Sequence, residues 1–179
     1  MTTVPDIALS VRQPSAWALL EGGKDIENRT AFSVKAGGME PGRIALHAAK
    51  GMTQAEYEYA AYKFAAIGCE VPRPDALTRG AIIGVITVTA IIRPDETDSP
   101  WMSRRSADMR GLVVADTVGI EPIAAEGARG YFEWQAGGEV CAPAPWMQRW
   151  NRPSGDDRTS DLFAEQAPAY RAPPKRPWD

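Results

Sequence analysis

Apolar and polar residues alternate from Ile7 to Arg12. Ile7, Leu9 and Val11 fall on one side and Ala8, Ser10 and Arg12 on the other, the two-residue period of a half-buried strand. Pro14 suits the opening turn of a helix, where its missing N–H leaves no bond unmade. Ala16, Leu19 and Leu20 then recur at helical spacing until Gly22-Gly23 stops the run. Trp17 lies at the edge of that apolar stripe, where it serves either as core rim or as a ligand platform. Alternation returns at 43–48, with Ile44, Leu46 and Ala48 opposite Arg43, Ala45 and His47. Small alanines around His47 leave room for a flat group, although a lone strand histidine is also a common hydrogen-bonded structural residue.

The 3.6-residue period is clearest after Thr53. Thr53 and Glu56 have the spacing of a capping box, and Tyr57, Ala60, Ala61, Phe64 and Ala65 follow as one helical stripe that Gly68 closes. Its aromatics are expected in the core. Residues 34–41, rich in glycine, read as a loop. Residues 81–92 form a long β-branched run suited to a central strand buried on both faces. The polar stretch 93–110 reads as a loop carrying Trp101 beside Arg104 and Arg105; that ring either stacks on a base or plugs the loop onto the body. Residues 111–115 read as a further strand ended by Asp116, and 121–123 as a short separate one. Residues 127–134 read as a tight helical turn and 145–150 as a short helix. From Arg152 onward, proline and charge replace aliphatics. The expected organisation is therefore one domain over residues 1–150 and a Pro-rich extended tail over 151–179, with a brief helix near Leu162 and Trp178 free to dock back or bind a partner.

After the first helix comes a charged octet, Gly22-Gly23-Lys24-Asp25-Ile26-Glu27-Asn28-Arg29. Glycine there releases the chain into a positive-φ turn. If the chain then runs extended, Asp25, Glu27 and Arg29 share a face, with Lys24 entering from the turn. A carboxylate between two cations stays ionised and fixes both. The same pattern also describes a solvated edge strand whose charges discourage aggregation.

Composition narrows the function classes. With 179 residues and a net charge of −3, the chain does not coat nucleic acid by bulk electrostatics. A local basic site remains available, because Arg12, Lys24, Arg29, Arg43 and Lys50 all lie in the first third. Cys69 and Cys141 lack metal-ligand spacing and His47 is the single histidine, so no metal and no cofactor are expected. No stretch resembles a signal peptide or reaches membrane-spanning length, and the expectation is a reduced cytoplasmic protein.

The octet Gly22–Arg29 resembles the Gly-x-Lys-x-x-Glu-x-Arg signature of the ASCH domain family, with Gly22 as its first residue. Ser10-Val11-Arg12-Gln13-Pro14, Gly42–Lys50, Gly80–Val85 and Gly130–Trp134 are similar to further family landmarks in the same order. Two positions depart from the pattern: Ser15 and Ala31 stand where aromatics are common, which softens any stacking surface. The resemblance implies an α+β fold, a PUA-like mixed, mostly antiparallel β-barrel with helices at the rim. It also implies recognition of RNA or of a nucleotide, nucleoside or modified base, with Arg12, Trp17, Lys24, Glu27, Arg29, His47, Lys50 and Trp101 as ligand-binding candidates. One branch of the family hydrolyses acetylated cytidine with a lysine at the position of Lys24, and another cleaves RNA. Lys24 and Glu27 are therefore the catalytic candidates if the chain is a hydrolase of modified nucleosides or single-stranded RNA. The amide-hydrolysing branch has threonine where this chain has Glu27, and a neighbouring carboxylate raises a lysine pKa. Both considerations favour binding over catalysis, with a protein-interaction adaptor using the tail as a third reading.

Overall fold

A computed structural model of the chain describes residues 3–151. The expected tail, with its helix near Leu162 and with Trp178, lies outside the described residues. Strands β1 (Ile7–Val11), β2 (Ile26–Thr30), β3 (Gly42–Ala48), β4 (Ala81–Ile92), β5 (Met109–Ala124) and β6 (Tyr131–Glu133) form one sheet in the order β2-β5-β4-β3-β1-β6. Only the β1–β3 pair is parallel. The result is a mixed, mostly antiparallel sheet curled into a half-barrel, with helices α1 (Ser15–Leu20), α2 (Ala31–Ala36), α3 (Gln54–Ala65) and α4 (Pro145–Arg149) around it. This is the α+β class expected from the sequence.

Alternation decides which side chains fill the half-barrel. Leu9 and Val11 of β1, Leu46 and Ala48 of β3, and Leu112 and Val114 of β5 join Leu19 of α1 in the main core. Ala8, Ala45, Ile82 and Ala125 form a thinner layer on the opposite face, covered by Phe132 and Trp134. Gly84 admits α1 to the sheet: a Cβ there would meet Leu20 Cδ2 at 2.7 Å and the Val118 carbonyl at 2.8 Å. A second body of core gathers Tyr57 and Phe64 of α3 with Met147 and Trp150 at α4. The Thr53–Glu56 capping box forms as its spacing predicts.

Several elements differ from the sequence reading. Residues 31–36 are helical, because the Thr30 hydroxyl accepts from Ser33 N and caps a turn that has no apolar period to announce it. The strands expected at 111–115 and 121–123 are one sixteen-residue strand, β5; Asp116, at φ 48°, turns it without ending it. Residues 131–133 are strand rather than helical turn, since β1 offers them a free edge. The stripe on α3 is only partly core: Tyr57 and Phe64 are buried, Ala60 and Ala61 half-buried and Ala65 exposed. Likewise β4 is buried through Ile86 and at Val88 and opens beyond it, with Thr89 exposed.

Candidate functional site

The charged octet begins at a turn. Gly23 takes φ +69°, and Lys24 N donates to Ala18 O at 3.0 Å, folding the chain back under α1. The turn sends the Lys24 side chain inward, and the two-residue period of β2 brings Glu27 and Arg29 to meet it. Lys24 Nζ donates to Glu27 Oε2 at 2.6 Å and to the Ile26 carbonyl. Glu27 Oε1 accepts from Arg29 Nη1, and Arg29 Nη2 donates to the Ser10 carbonyl at 3.0 Å. The Lys24 and Glu27 side chains keep 4% and 6% of their surface exposed, and Arg29 keeps 22%. A solvated edge strand would not bury its charges in this way.

Burial sets the proton affinities. Loss of water pulls the Lys24 ammonium below its ordinary value, against the opposing charge of Glu27. The carboxylate neighbour alone would raise Lys24; in the folded chain desolvation wins. Burial would raise Glu27, but the charges of Lys24 and Arg29 and their hydrogen bonds outweigh it and hold the carboxyl below the usual range. The alternate residues face the other way. Asn28 Nδ2 donates to Trp101 O at 2.7 Å and Asn28 Oδ1 accepts from Ser103 N at 2.8 Å, pinning the loop before β5. Asp25 was expected beside Glu27; instead it precedes the strand and accepts from Ser99 Oγ at 2.6 Å.

His47 joins this network through Ser10, its register partner in β1. Ser10 Oγ lies 2.8 Å from Nδ1, and Nε2 lies 3.1 Å from the Ala125 carbonyl. A carbonyl can only accept, so Nε2 carries the proton and Nδ1 accepts from the serine hydroxyl. The ring has no exposed surface, and burial lowers its pKa from 6.5 and keeps it neutral. The room that Ala45 and Ala48 leave is occupied. Phe132 stands edge-on at 6.1 Å, and a Cβ on Gly127 would meet the imidazole Cε1 at 2.5 Å.

The remaining candidates do not converge on the triad. Lys50 pairs with Glu126 in solvent, and Arg12 pairs with Glu56 of α3. Trp101 packs edge-on against Phe64 at 4.8 Å. Trp17 Nε1 donates to Glu21 Oε2 at 3.2 Å and its ring borders a separate groove. Among the described residues, no cluster of three His, Cys, Asp or Glu is arranged to hold a metal, and no helix is long and apolar enough to cross a membrane.

A cleft of about 300 Å³ was not legible in the sequence. Lys35 and Arg110 supply its positive charge, Glu40 one carboxylate, and Val34, Met39 and Ile91 an apolar wall. Arg110 stands directly across the β2–β5 ladder from Arg29, so the cleft opens beside the exposed part of the triad. Its α2 residues, Ala31, Val34 and Lys35, have helical spacing that becomes visible only once the Thr30 cap is noticed, and Gly38 follows just beyond the helix. Arg79 also escaped sequence reading: it is buried and donates to the Lys50 and Ala142 carbonyls at 2.6 and 2.8 Å.

No family model matches the chain, and no curated protein matches it. Among solved structures it is similar to the ASCH protein of Zymomonas mobilis, at 13% identity over 80% of this chain and 90% of that one, with a TM-score of 0.38. It is also similar to a serine-to-alanine variant of that protein, at 15% identity over 82% of this chain and 95% of that one, with a TM-score of 0.39. The reading of the site stands on this chain's own residues: Lys24 leaves the turn after Gly23, and Glu27 and Arg29 lie on β2.

Proposed function

We propose that the chain is a nucleic-acid or nucleotide-binding module whose ligand seats in the cleft beside Arg29. The observation that carries this reading is the cleft's composition. Lys35 and Arg110 have no ion-pair partner among the described residues, and they share a cleft of about 300 Å³ with the apolar side chains of Val34, Met39 and Ile91. Phosphate would meet the cations and the base the Val34–Met39–Ile91 wall, the division of labour common in small polar-ligand sites. Glu27 offsets one of the two positive charges of Lys24 and Arg29, so the triad itself retains one positive charge to steer an anion. This local supply suits a protein whose overall charge is −3. Single-stranded RNA and free nucleotides both fit that chemistry. Titrating nucleoside monophosphates and short single-stranded RNAs should give affinity that falls at least about tenfold in Lys35→Glu/Arg110→Glu. Equal affinity in parent and variant would remove the cleft from the site.

A hydrolase remains the second reading because burial lowers the Lys24 pKa, which brings the amine nearer to proton transfer. Arginine keeps the charge but cannot give up its proton near neutrality. Lys24→Arg in a binder retains part of the affinity. In an enzyme acting on acetylated cytidine, other acylated nucleosides or RNA, the same change abolishes turnover while binding survives.

A further inference from the structure

A second groove, of about 440 Å³, lies where α1, residues 76–78 and the C-terminal half of β5 meet. Its character is opposite to that of the cleft. Trp17, Ile120 and Pro122 give it apolar and aromatic walls, Glu21 and Glu121 bring two carboxylates, and none of its described lining residues is lysine or arginine. Neither carboxylate has an ion-pair partner among the described residues, although Glu21 accepts from the Trp17 indole. An aromatic wall flanked by acids favours a cation laid against the ring and paired to carboxylate, and it favours that cation on an extended, proline-stiffened segment. Such a segment loses little entropy on docking.

The chain's sequence supplies cations and prolines together. Residues 171–178 read Arg-Ala-Pro-Pro-Lys-Arg-Pro-Trp, with three cations and three prolines in eight positions. The described structure ends at Asn151, just after α4, and α4 packs against the Pro74–Ala76 turn. Arg73 Nη2 donates to Gln148 O at 3.4 Å at that junction, and Ala76 itself lines the groove. The chain therefore leaves α4 beside one wall of the groove. The nineteen residues from 152 to 170, at roughly 3.3 Å each when extended, exceed the span of the whole domain. Tethering also places the segment near the groove at an effective concentration in the millimolar range.

We propose that this groove is the docking site for the chain's own basic, proline-rich end, residues 171–178, bound in cis. An arginine or lysine of that segment would compete with the Trp17 indole for Glu21 and pair with Glu121. The indole N–H of Trp17 is therefore the reporter. In the full-length 15N-labelled chain, its resonance can be assigned by its loss in Trp17→Phe. Reversing the segment's charge (Arg171→Glu/Lys175→Glu/Arg176→Glu) should shift the Trp17 signal, while the indole of Trp134, which donates to Pro5 O at 2.7 Å, stays in place as a fold control. Adding Glu21→Lys/Glu121→Lys to the reversed chain should move the Glu121 region back toward a paired state, seen as renewed protection of residues 119–121 from amide exchange. The shift should be the same over a hundredfold range of protein concentration. An unmoved Trp17 signal, or no renewed protection in the charge-swapped chain, would overturn the proposal. A shift that disappears on dilution would assign the groove to a second copy instead and overturn docking in cis.

Discussion

Lys24–Glu27 and Lys50–Glu126 are both lysine–glutamate pairs in direct contact, and they differ chiefly in how much water each keeps. The first pair exposes 4% and 6% of its side-chain surface, the second 46% and 77%. The lysines respond in opposite directions. Burial lowers Lys24 despite its carboxylate, whereas the hydrogen bond that Lys50 donates to Glu126 raises Lys50. The glutamates agree: each is held below the ordinary range, Glu27 against its burial and Glu126 by the hydrogen bond from Lys50. Contact between opposite charges therefore says little by itself. Solvent access decides whether a pair is a fixed part of the fold or a loose surface association.

That contrast can be broken most directly at Glu27. Glu27→Ala leaves a buried ammonium and a guanidinium without their shared acceptor, and should cost about 3–5 kcal/mol of stability, the usual penalty for removing one member of a buried pair. Urea unfolding of parent and variant measures it. A loss below about 1 kcal/mol would place Glu27 with surface pairs.

The buried histidine sharpens the same point on a smaller scale. Its folded-state pKa lies below 6.5, so the unfolded chain takes up a proton first as the pH falls. The sign follows: the stability due to neutral His47 is complete above pH 6.5 and is lost as pH drops through its lowered value. His47→Gln can keep both hydrogen bonds without titrating. Between about pH 7.5 and 5.5 the parent should lose roughly 1 kcal/mol more than this variant, read from paired denaturation midpoints. Parallel pH profiles would mean that the ring titrates as if it were in water.

The smallest effect belongs to the exposed pair. Glu126→Gln should leave the urea midpoint unchanged within error, at low and at high salt alike, because solvent already screens the interaction. A clear drop at low salt would show that the Lys50–Glu126 contact supports the neighbouring His47 layer.

Sequence periodicity carried much of this architecture. The two-residue alternation of β1 and β3 and the helical stripes of α1 and α3 place their core residues in the chain itself, one period at a time. The Lys24–Glu27–Arg29 cluster was legible for the same reason, since a turn and a strand suffice to assemble it. What stayed hidden depends on pairs distant in the chain. Helix α2 has no fully buried residue, and its end meets β6 where two glycines approach so closely that a Cβ on Gly37 would lie 2.6 Å from Gly130 Cα. Tyr131 N donates to Gly37 O at 2.8 Å across that contact. No local pattern encodes a fit between backbones ninety residues apart. The cleft charges are hidden likewise, because Arg110 neighbours Arg29 only after β5 has found its register.

The bond from Arg29 to the Ser10 carbonyl joins β2, one border of the sheet, to β1 near the other, where no strand ladder does so among the described residues. The guanidinium acts as a clasp, and Glu27 and Lys24 are the fitting that holds the clasp at its angle. Lys-x-x-Glu-x-Arg can then be read as an instruction for closing a curved sheet, written in the shortest segment that supplies a turn, a two-residue step and three charges. In this chain the closure rests on Lys24, Glu27 and Arg29 alone, apart from the cleft. Lys35 and Arg110 of the proposed cleft stand outside the clasp, so exchanging them should leave the sheet fastened.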